Sequence, residues 1–179
     1  MSRHLAFAAL AAVIFGTAPV AACGPEVEIQ FFESSSDIFA IKNSSQDPWF
    51  LVSLSIRLGG SRGRLVFDTE DGGPGASMHE PFGVVEDNVG FVSATPVDDG
   101  GEEVRLLFSD FQPGRSFMFV IDVDDRLENS DYGQAVVSGD EIEGANADAI
   151  LTTKSGAQAK AKGRFGNDGR ALLRGGLCA

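Results

Sequence analysis

The sequence predicts an all-β protein, built as a two-layer antiparallel β-sandwich with low helix content. Short runs of alternating apolar and polar residues recur along the chain and are separated by turn residues, among them 22 glycines. A sustained helical period is absent from the pattern. The 14 phenylalanines, against one tyrosine and one tryptophan, favour an apolar sandwich core over a sugar-stacking surface. A closed barrel is the alternative architecture.

The first residues predict export. Arg3 precedes an apolar run over residues 5–15, and small residues over 17–22 resemble a cleavage site. The apolar run is too short to cross a bilayer core of about 30 Å. We therefore expect residues 1–22 to be a signal peptide and residues 23–179 to be a single β-sandwich domain with no transmembrane segment. Its expected location is extracellular or at the cell surface, with the periplasm as the alternative.

Two cysteines lie at the ends of the predicted mature chain, and two interpretations remain open. Cys23 and Cys178 can form a disulfide that joins the termini, as an oxidising compartment permits. Alternatively, the small residues before Cys23 are a lipoprotein signal and Cys23 carries a lipid. The disulfide is favoured because lipidation would leave Cys178 unpaired.

The charge pattern argues against nucleic acid as a partner. The chain has 26 acidic and 14 basic residues, a net charge of −12, whereas binding to phosphates needs clustered Lys and Arg. The end of the chain is locally basic, with Lys160, Lys162 and Arg164 on one face of a predicted strand. We interpret this face as solvated, and an anion-binding strip for acidic surface polysaccharide is the alternative.

Alternation and turn residues predict ten to twelve strands in order along the chain, and the alanines of residues 145–153 also permit a helix there. Several are separated by Gly, Asp, Asn or Pro signals, and a hairpin is expected at the end. The predicted strands cover residues 26–31, 38–42, 49–58, 64–68, 82–86, 89–94, 102–108, 116–124, 134–138, 145–153, 157–165 and 170–174.

The strongest alternation lies in the predicted strand 116–124. Successive side chains of a strand point to opposite faces, so Phe117, Phe119, Ile121 and Val123 fall on one face. This apolar face predicts a central piece of the core.

An aspartate cluster ends that strand. Asp122, Asp124 and Asp125 are closely spaced carboxylates, and calcium takes six to eight oxygen ligands. We predict a calcium site here if other acidic loops reach the cluster. The alternative is a solvated strand end that discourages edge pairing. The acidic residues of other loops that could converge are Asp68, Glu70, Asp71, Asp98, Asp99 and Asp131.

The sequence contains no convincing catalytic motif. His79 is the single histidine of the predicted mature chain, so a histidine-rich zinc site cannot be assembled. Ser77 precedes it by two residues, which is unlike a nucleophile and base of a hydrolase. A glycosidase needs two carboxylates placed together, and nothing in the sequence marks two of them out. We expect no enzymatic activity.

Five segments resemble small exported bacterial proteins that are described as similar to the core protein of the sponge aggregation factor. They are residues 49–60, 63–68, 80–85, 111–125 and 137–145. The resemblance implies an extracellular role in calcium-dependent, carbohydrate-mediated adhesion. Among the matching positions, it suggests the three aspartates of residues 122–125 as candidate ligands, and it supplies no catalytic residue.

The sequence therefore predicts an exported, non-catalytic binding or adhesion module that uses calcium at the cell surface. Surface polysaccharide or an extracellular protein is the expected partner. A periplasmic lipoprotein or structural module without a ligand is the alternative, and an exported hydrolase comes third.

Overall fold

In the described part of the chain every regular element is a β-strand, so the all-β prediction is confirmed. The computed structural model describes residues 24–176 except 35, 47, 77 and 130–133. The strands are β1 (Glu26–Phe32), β2 (Ile38–Asn43), β3 (Phe50–Arg57), β4 (Val66–Asp68), β5 (Gly83–Asp87), β6 (Phe91–Ala94), β7 (Glu103–Phe111), β8 (Ser116–Val120), β9 (Asp122–Asp124), β10 (Asn146–Thr152), β11 (Gln158–Arg164) and β12 (Arg170–Arg174).

Ten strands form one antiparallel sheet that folds over on itself. Their order is β5-β8-β2-β1-β12-β11-β10-β3-β7-β6, and β4 and β9 form a separate pair. The two edge strands, β5 and β6, follow each other in sequence. Asp87 closes the short connection between them by accepting bonds from the backbone N–H groups of Val89 (3.0 Å) and Phe91 (3.2 Å). The sheet edges therefore meet, and the folded sheet has the two facing layers of a sandwich that is nearly closed.

Phenylalanine rings fill the space between the layers. Phe117 of β8 lies 5.1 Å from Phe91 of β6 and 5.1 Å from Phe108 of β7, measured between ring centroids. Within one layer, Phe119 of β8 stacks on Phe39 of β2 at 5.1 Å. Such aromatic pairs stabilise a core beyond the area that they bury. The expectation that β8 is a central piece of the core is therefore met.

The strand predicted over 116–124 is wrong in one respect, because it is divided at Ile121. β8 pairs with β2, whereas β9 leaves the large sheet and pairs with β4. Asp37, just before β2, bridges this change of partner. Its carbonyl accepts from the Ile121 N–H, and its carboxylate accepts from the Val123 N–H, both at 3.1 Å.

The strand predicted over 134–138 is also wrong, since residues 134–135 lie in a turn and residues 136–138 have no regular secondary structure. Val137 is buried, which accounts for the apolar signal. The Ser138 N–H donates to the Glu141 carboxylate at 2.7 Å, and this local bond folds the chain back instead of extending it.

The described ends of the chain lie side by side. Glu26 of β1 is opposite Arg174 of β12, and the two side chains form an ion pair at 3.0 Å. The Gly175 N–H donates to the Pro25 carbonyl at 3.1 Å.

Some sequence predictions fall outside the described residues. These are the signal peptide over 1–22, both cysteines (Cys23 and Cys178), Ser77 and Asp131. Among the residues that the structure does describe, no helix has the length and apolarity to cross a membrane.

Candidate metal centre

Three aspartates converge where β4 pairs with β9. The antiparallel register sets Asp68 opposite Asp122, and Asp124 opposite Val66. One carboxylate oxygen from each of the three aspartates lies within 4.8 Å of the other two. Exposed fractions of 1% for Asp68, 4% for Asp122 and 1% for Asp124 show that all three are buried. We call these three residues the aspartate triad.

Each member of the triad has one buried carboxylate oxygen without a hydrogen-bond donor. Asp68 Oδ1, Asp122 Oδ2 and Asp124 Oδ1 are buried without a hydrogen-bond partner among the described residues. None of the ion pairs found in that part of the chain involves the triad. Buried polar groups are ordinarily hydrogen-bonded, and buried charges are ordinarily paired or bound to metal. A cation bound among these oxygens, or protons held by the carboxyl groups, would satisfy them.

Two neighbouring carboxylates extend the acidic environment. Asp99 and Asp125 each have one buried oxygen, Oδ2 in both cases, without a partner in the described chain. The other oxygen of Asp99 accepts from the backbone N–H groups of Thr69 (2.8 Å) and Glu70 (3.3 Å). These backbone bonds, led by the one from Thr69, lower the pKa of Asp99 and hold it ionised beside the triad.

A glycine-rich loop over residues 71–76 lies against these carboxylates. The Ala76 N–H donates to Asp124. A Cβ atom on Gly75 would collide with the Asp68 carboxyl group, and one on Gly73 would collide with that of Asp99. Glycine is needed at both positions because the backbone approaches the side chains so closely.

Burial and mutual repulsion raise the pKa values of the triad. Burial raises the pKa of Asp68 to about 7, helped by a hydrogen bond to Asp124 and by the charge of Asp124. The pKa of Asp122 rises to about 6, mainly through burial and then through the charge of Asp68. Burial likewise raises the pKa of Asp124. Without a cation, Asp68 therefore begins to bind a proton near neutral pH and Asp122 near pH 6.

Another buried aspartate, Asp37, bonds to the strand β9. Asp37 accepts from the backbone N–H groups of Ser34 (3.3 Å) and Val123 (3.1 Å), so it holds the strand that carries two triad members. Burial raises the pKa of Asp37 to about 8, and the charge of Asp122 adds to the rise. Asp37 therefore positions β9 without belonging to the triad.

The donor set fits a hard cation. The triad offers carboxylate oxygens alone, with no histidine or cysteine, and such ligands suit calcium, magnesium or manganese. Two ionised carboxylates 4.8 Å apart repel each other by about 3 kcal/mol at an effective dielectric constant of about 20. A divalent cation among the three oxygens would turn this repulsion into attraction. The seven- or eight-fold shell of calcium also leaves room for waters or backbone carbonyls.

The structure brings some of the predicted residues together and leaves others apart. Asp122 and Asp124 belong to the triad. Asp125 lies outside it but is buried, and its Oδ1 accepts from the Leu127 N–H at 2.7 Å. The alternative of a solvated strand end is wrong, because all three aspartates are buried. Asp68 completes the triad and Asp99 lies next to it, whereas the remaining described loop acids are exposed: Glu70, Asp71 and Asp98.

Two contributors were not recognised in the sequence. The sequence patterns did not single out Asp37, although an aspartate directly before an alternating strand is a position from which a carboxylate can bond to neighbouring backbone. They did not single out the loop over 71–76 either. Its three glycines within four positions are a signal of close backbone approach, which is its role here.

Comparison with known proteins does not assign the chain. No family model, no curated protein and no solved structure matches it. The class of the protein is therefore defined by its all-β fold and by the buried carboxylates between β4 and β9.

Proposed function

We propose that the chain is an exported, non-catalytic β-sandwich module that binds calcium at the aspartate triad and acts in binding or adhesion at the cell surface. The observation that carries the proposal is the convergence of Asp68, Asp122 and Asp124 within 4.8 Å, buried and with unpartnered oxygens. The five segments that resemble aggregation factor core-like proteins support the adhesive role, since two of them, residues 63–68 and 111–125, supply the triad and its strands.

Burial favours a cation over an organic substrate. Paired carboxylates with raised pKa values can also serve acid–base catalysis. A catalytic carboxyl group must reach the proton that it moves, yet the triad is at most 4% exposed and the loop over 71–76 packs on Asp68. A single ion fits among such oxygens, whereas a polysaccharide or peptide bond cannot approach them.

Export would place the site where calcium is abundant. Extracellular calcium modules bind with dissociation constants of about 10⁻⁴–10⁻³ M. The apolar run over residues 5–15 supports export. The side-by-side strands next to Cys23 and Cys178 support a disulfide between the termini, and that pairing stays a prediction.

Thermal unfolding during a calcium titration tests the cation site. A ligand that binds only the folded state stabilises it by RT ln(1 + [L]/Kd), about 2.7 kcal/mol when calcium reaches 100 times Kd. We expect the melting temperature to rise as calcium is added to the chelated protein. Magnesium at equal concentration should raise it less, because it demands a tighter octahedral shell.

Two variants that make the same charge change test whether the calcium-induced rise in melting temperature arises at the triad. Asp68→Asn should abolish the calcium-induced rise and leave the chelated protein at least as stable, since it removes one of the mutually repelling charges. Asp98→Asn makes the same charge change at an exposed position and should keep the full rise. If millimolar calcium does not change the melting temperature of the wild type, the calcium site is rejected. The alternative of a structural module without a ligand then remains.

A further inference from the structure

The basic residues of this acidic chain are concentrated on five neighbouring strands. β12, β11, β10, β3 and β7 hold seven of the 14 Lys and Arg residues but only three of the 26 acidic residues. All seven basic side chains are at least partly exposed, and they alternate with buried apolar residues, so they lie on the outer face of the sheet. We call this set the cationic face: Arg57, Arg105, Lys160, Lys162, Arg164, Arg170 and Arg174.

Strand register joins these charges into a continuous surface. Arg174 of β12 is paired with Lys162 of β11, which is paired with Asp148 of β10. The same row continues to Ser55 of β3 and Arg105 of β7. Neighbouring strands are about 4.8 Å apart, so the row crosses the sheet with a positive charge near each end. Because side chains alternate between the two faces along β11, Lys160 and Arg164 lie on the same face as Lys162, one on either side of this row.

A shallow groove of about 300 Å³ lies in the middle of the cationic face. Lys160 and Lys162 line one side, while Arg57 and Arg105 belong to the strands across β10. Ser53 and Ser55 contribute hydroxyl groups between these cations, and the Arg105 Nε–H donates to Ser55 Oγ at 3.0 Å. The lining residues include no aromatic ring, so neutral sugars and bases have nothing to stack on.

The charges of this face are only partly neutralised. Asp148 pairs with both Arg57 and Lys162, the latter at 4.0 Å with the lysine side chain 75% exposed. Arg105 pairs with Glu103 at 3.5 Å, and Arg174 pairs with Glu26. Lys160 forms no ion pair with any residue that the structure describes. Exposed ion pairs are weak and exchange easily with other anions, so the face can bind an external polyanion.

We propose that the cationic face binds a linear acidic polysaccharide through the carboxylate or sulfate groups of its repeating units. Charge complementarity selects a polyanion, and the serine hydroxyls suit hydrogen bonds to sugar hydroxyl groups. A single polysaccharide chain can follow the groove, whereas a nucleic acid duplex would extend its charge over the acidic remainder of the protein. The proposal goes beyond the cation site, since the triad lies on β4 and β9, outside these five strands.

Binding to immobilised polygalacturonate and to dextran sulfate tests this proposal, with neutral dextran as the blank. The wild-type protein in EDTA and low salt should bind at least one polyanion, and rising salt should release it because exposed charges are screened. Lys160→Gln/Lys162→Gln should weaken binding by about tenfold. Polygalacturonate binding would identify carboxylate as the recognised group, and dextran sulfate binding would identify sulfate.

The matched control is Lys42→Gln/Arg115→Gln, which removes two exposed positive charges outside the cationic face. It should retain wild-type affinity, and equal melting temperatures of the two double variants would show that neither disturbs the fold. Three results would overturn the proposal: no binding to either polyanion in low salt, equal weakening by both double variants, or tighter binding to DNA than to both polysaccharides. Because EDTA is present, a failure of calcium binding would not alter any of these outcomes.

Discussion

β8 and β9 come from one uninterrupted run of alternating residues, yet they bury opposite chemistry. β8 packs Phe117 and Phe119 into the core, where both rings contact other phenylalanine rings. β9 buries Asp122 and Asp124 beside Asp68, where like charges converge. Burial stabilises the first strand and costs free energy in the second, unless a cation or protons compensate the charges.

The difference indicates that the core and the candidate site depend on different interactions for their stability. The β8 core depends on hydrophobic burial, which calcium does not affect and which pH changes little. The stability of the β9 region depends on whether a cation or protons neutralise its carboxylates. Changes in the two strands should therefore respond differently to calcium and to pH.

The largest expected effect is in the β8 core. Phe119 is fully buried, stacks on Phe39 and contacts the tilted ring of Phe82, each at 5.1 Å between ring centroids. Phe119→Ala should lower the free energy of unfolding by about 3–5 kcal/mol, because a buried phenylalanine is replaced by a cavity. Urea unfolding measured in EDTA and again in calcium should give the same loss in both.

Phe32→Ala is the matched control, since this ring is 49% exposed. We expect it to cost less than about 1 kcal/mol. A loss from Phe119→Ala that differed clearly between calcium and EDTA would show that the core and the carboxylates are coupled, against the separation described above.

A smaller effect is expected from pH in the β9 region. The folded-state pKa values of Asp68 (about 7) and Asp122 (about 6) exceed the unfolded value of 3.8, so the folded state binds more protons between these limits. The stability that these two groups contribute in EDTA is therefore fully present below about pH 4. It is lost as the pH rises towards about 7. Calcium binds the ionised carboxylates, so its stabilising effect should grow over the same range.

Melting temperatures measured in EDTA and in calcium across this pH range check the prediction. Asp68→Asn should flatten the fall in EDTA, whereas Asp98→Asn should leave it unchanged. A calcium-induced rise of equal size at about pH 5 and about pH 8 would contradict the assigned proton linkage.

Most of the fold could be predicted from the sequence because alternation reports burial directly. Val27, Ile29 and Phe31 alternate in the sequence and are all buried in β1. The failures are local. The division at Ile121 depends on Asp37 bonding across to another strand, and the turn after Val137 depends on a side-chain bond to Glu141. Neither contact has a periodic signature.

The candidate site was only partly predictable. The sequence singled out Asp122 and Asp124, but their partner depends on the pairing of β9 with β4, which lies more than 50 residues away in the chain. Alternation does not specify which strands pair. Asp68 and Asp99 therefore remained two among several acidic candidates until the sheet topology placed them.

A crystal structure obtained in calcium, with anomalous scattering to locate the ion, tests the central claim most directly. We expect one calcium ion among the oxygens of Asp68, Asp122 and Asp124, at about 2.3–2.6 Å from each. Asp68→Asn crystals grown in the same way should lack it. A triad without an ion in millimolar calcium, with its carboxyl groups hydrogen-bonded to one another, would contradict the account.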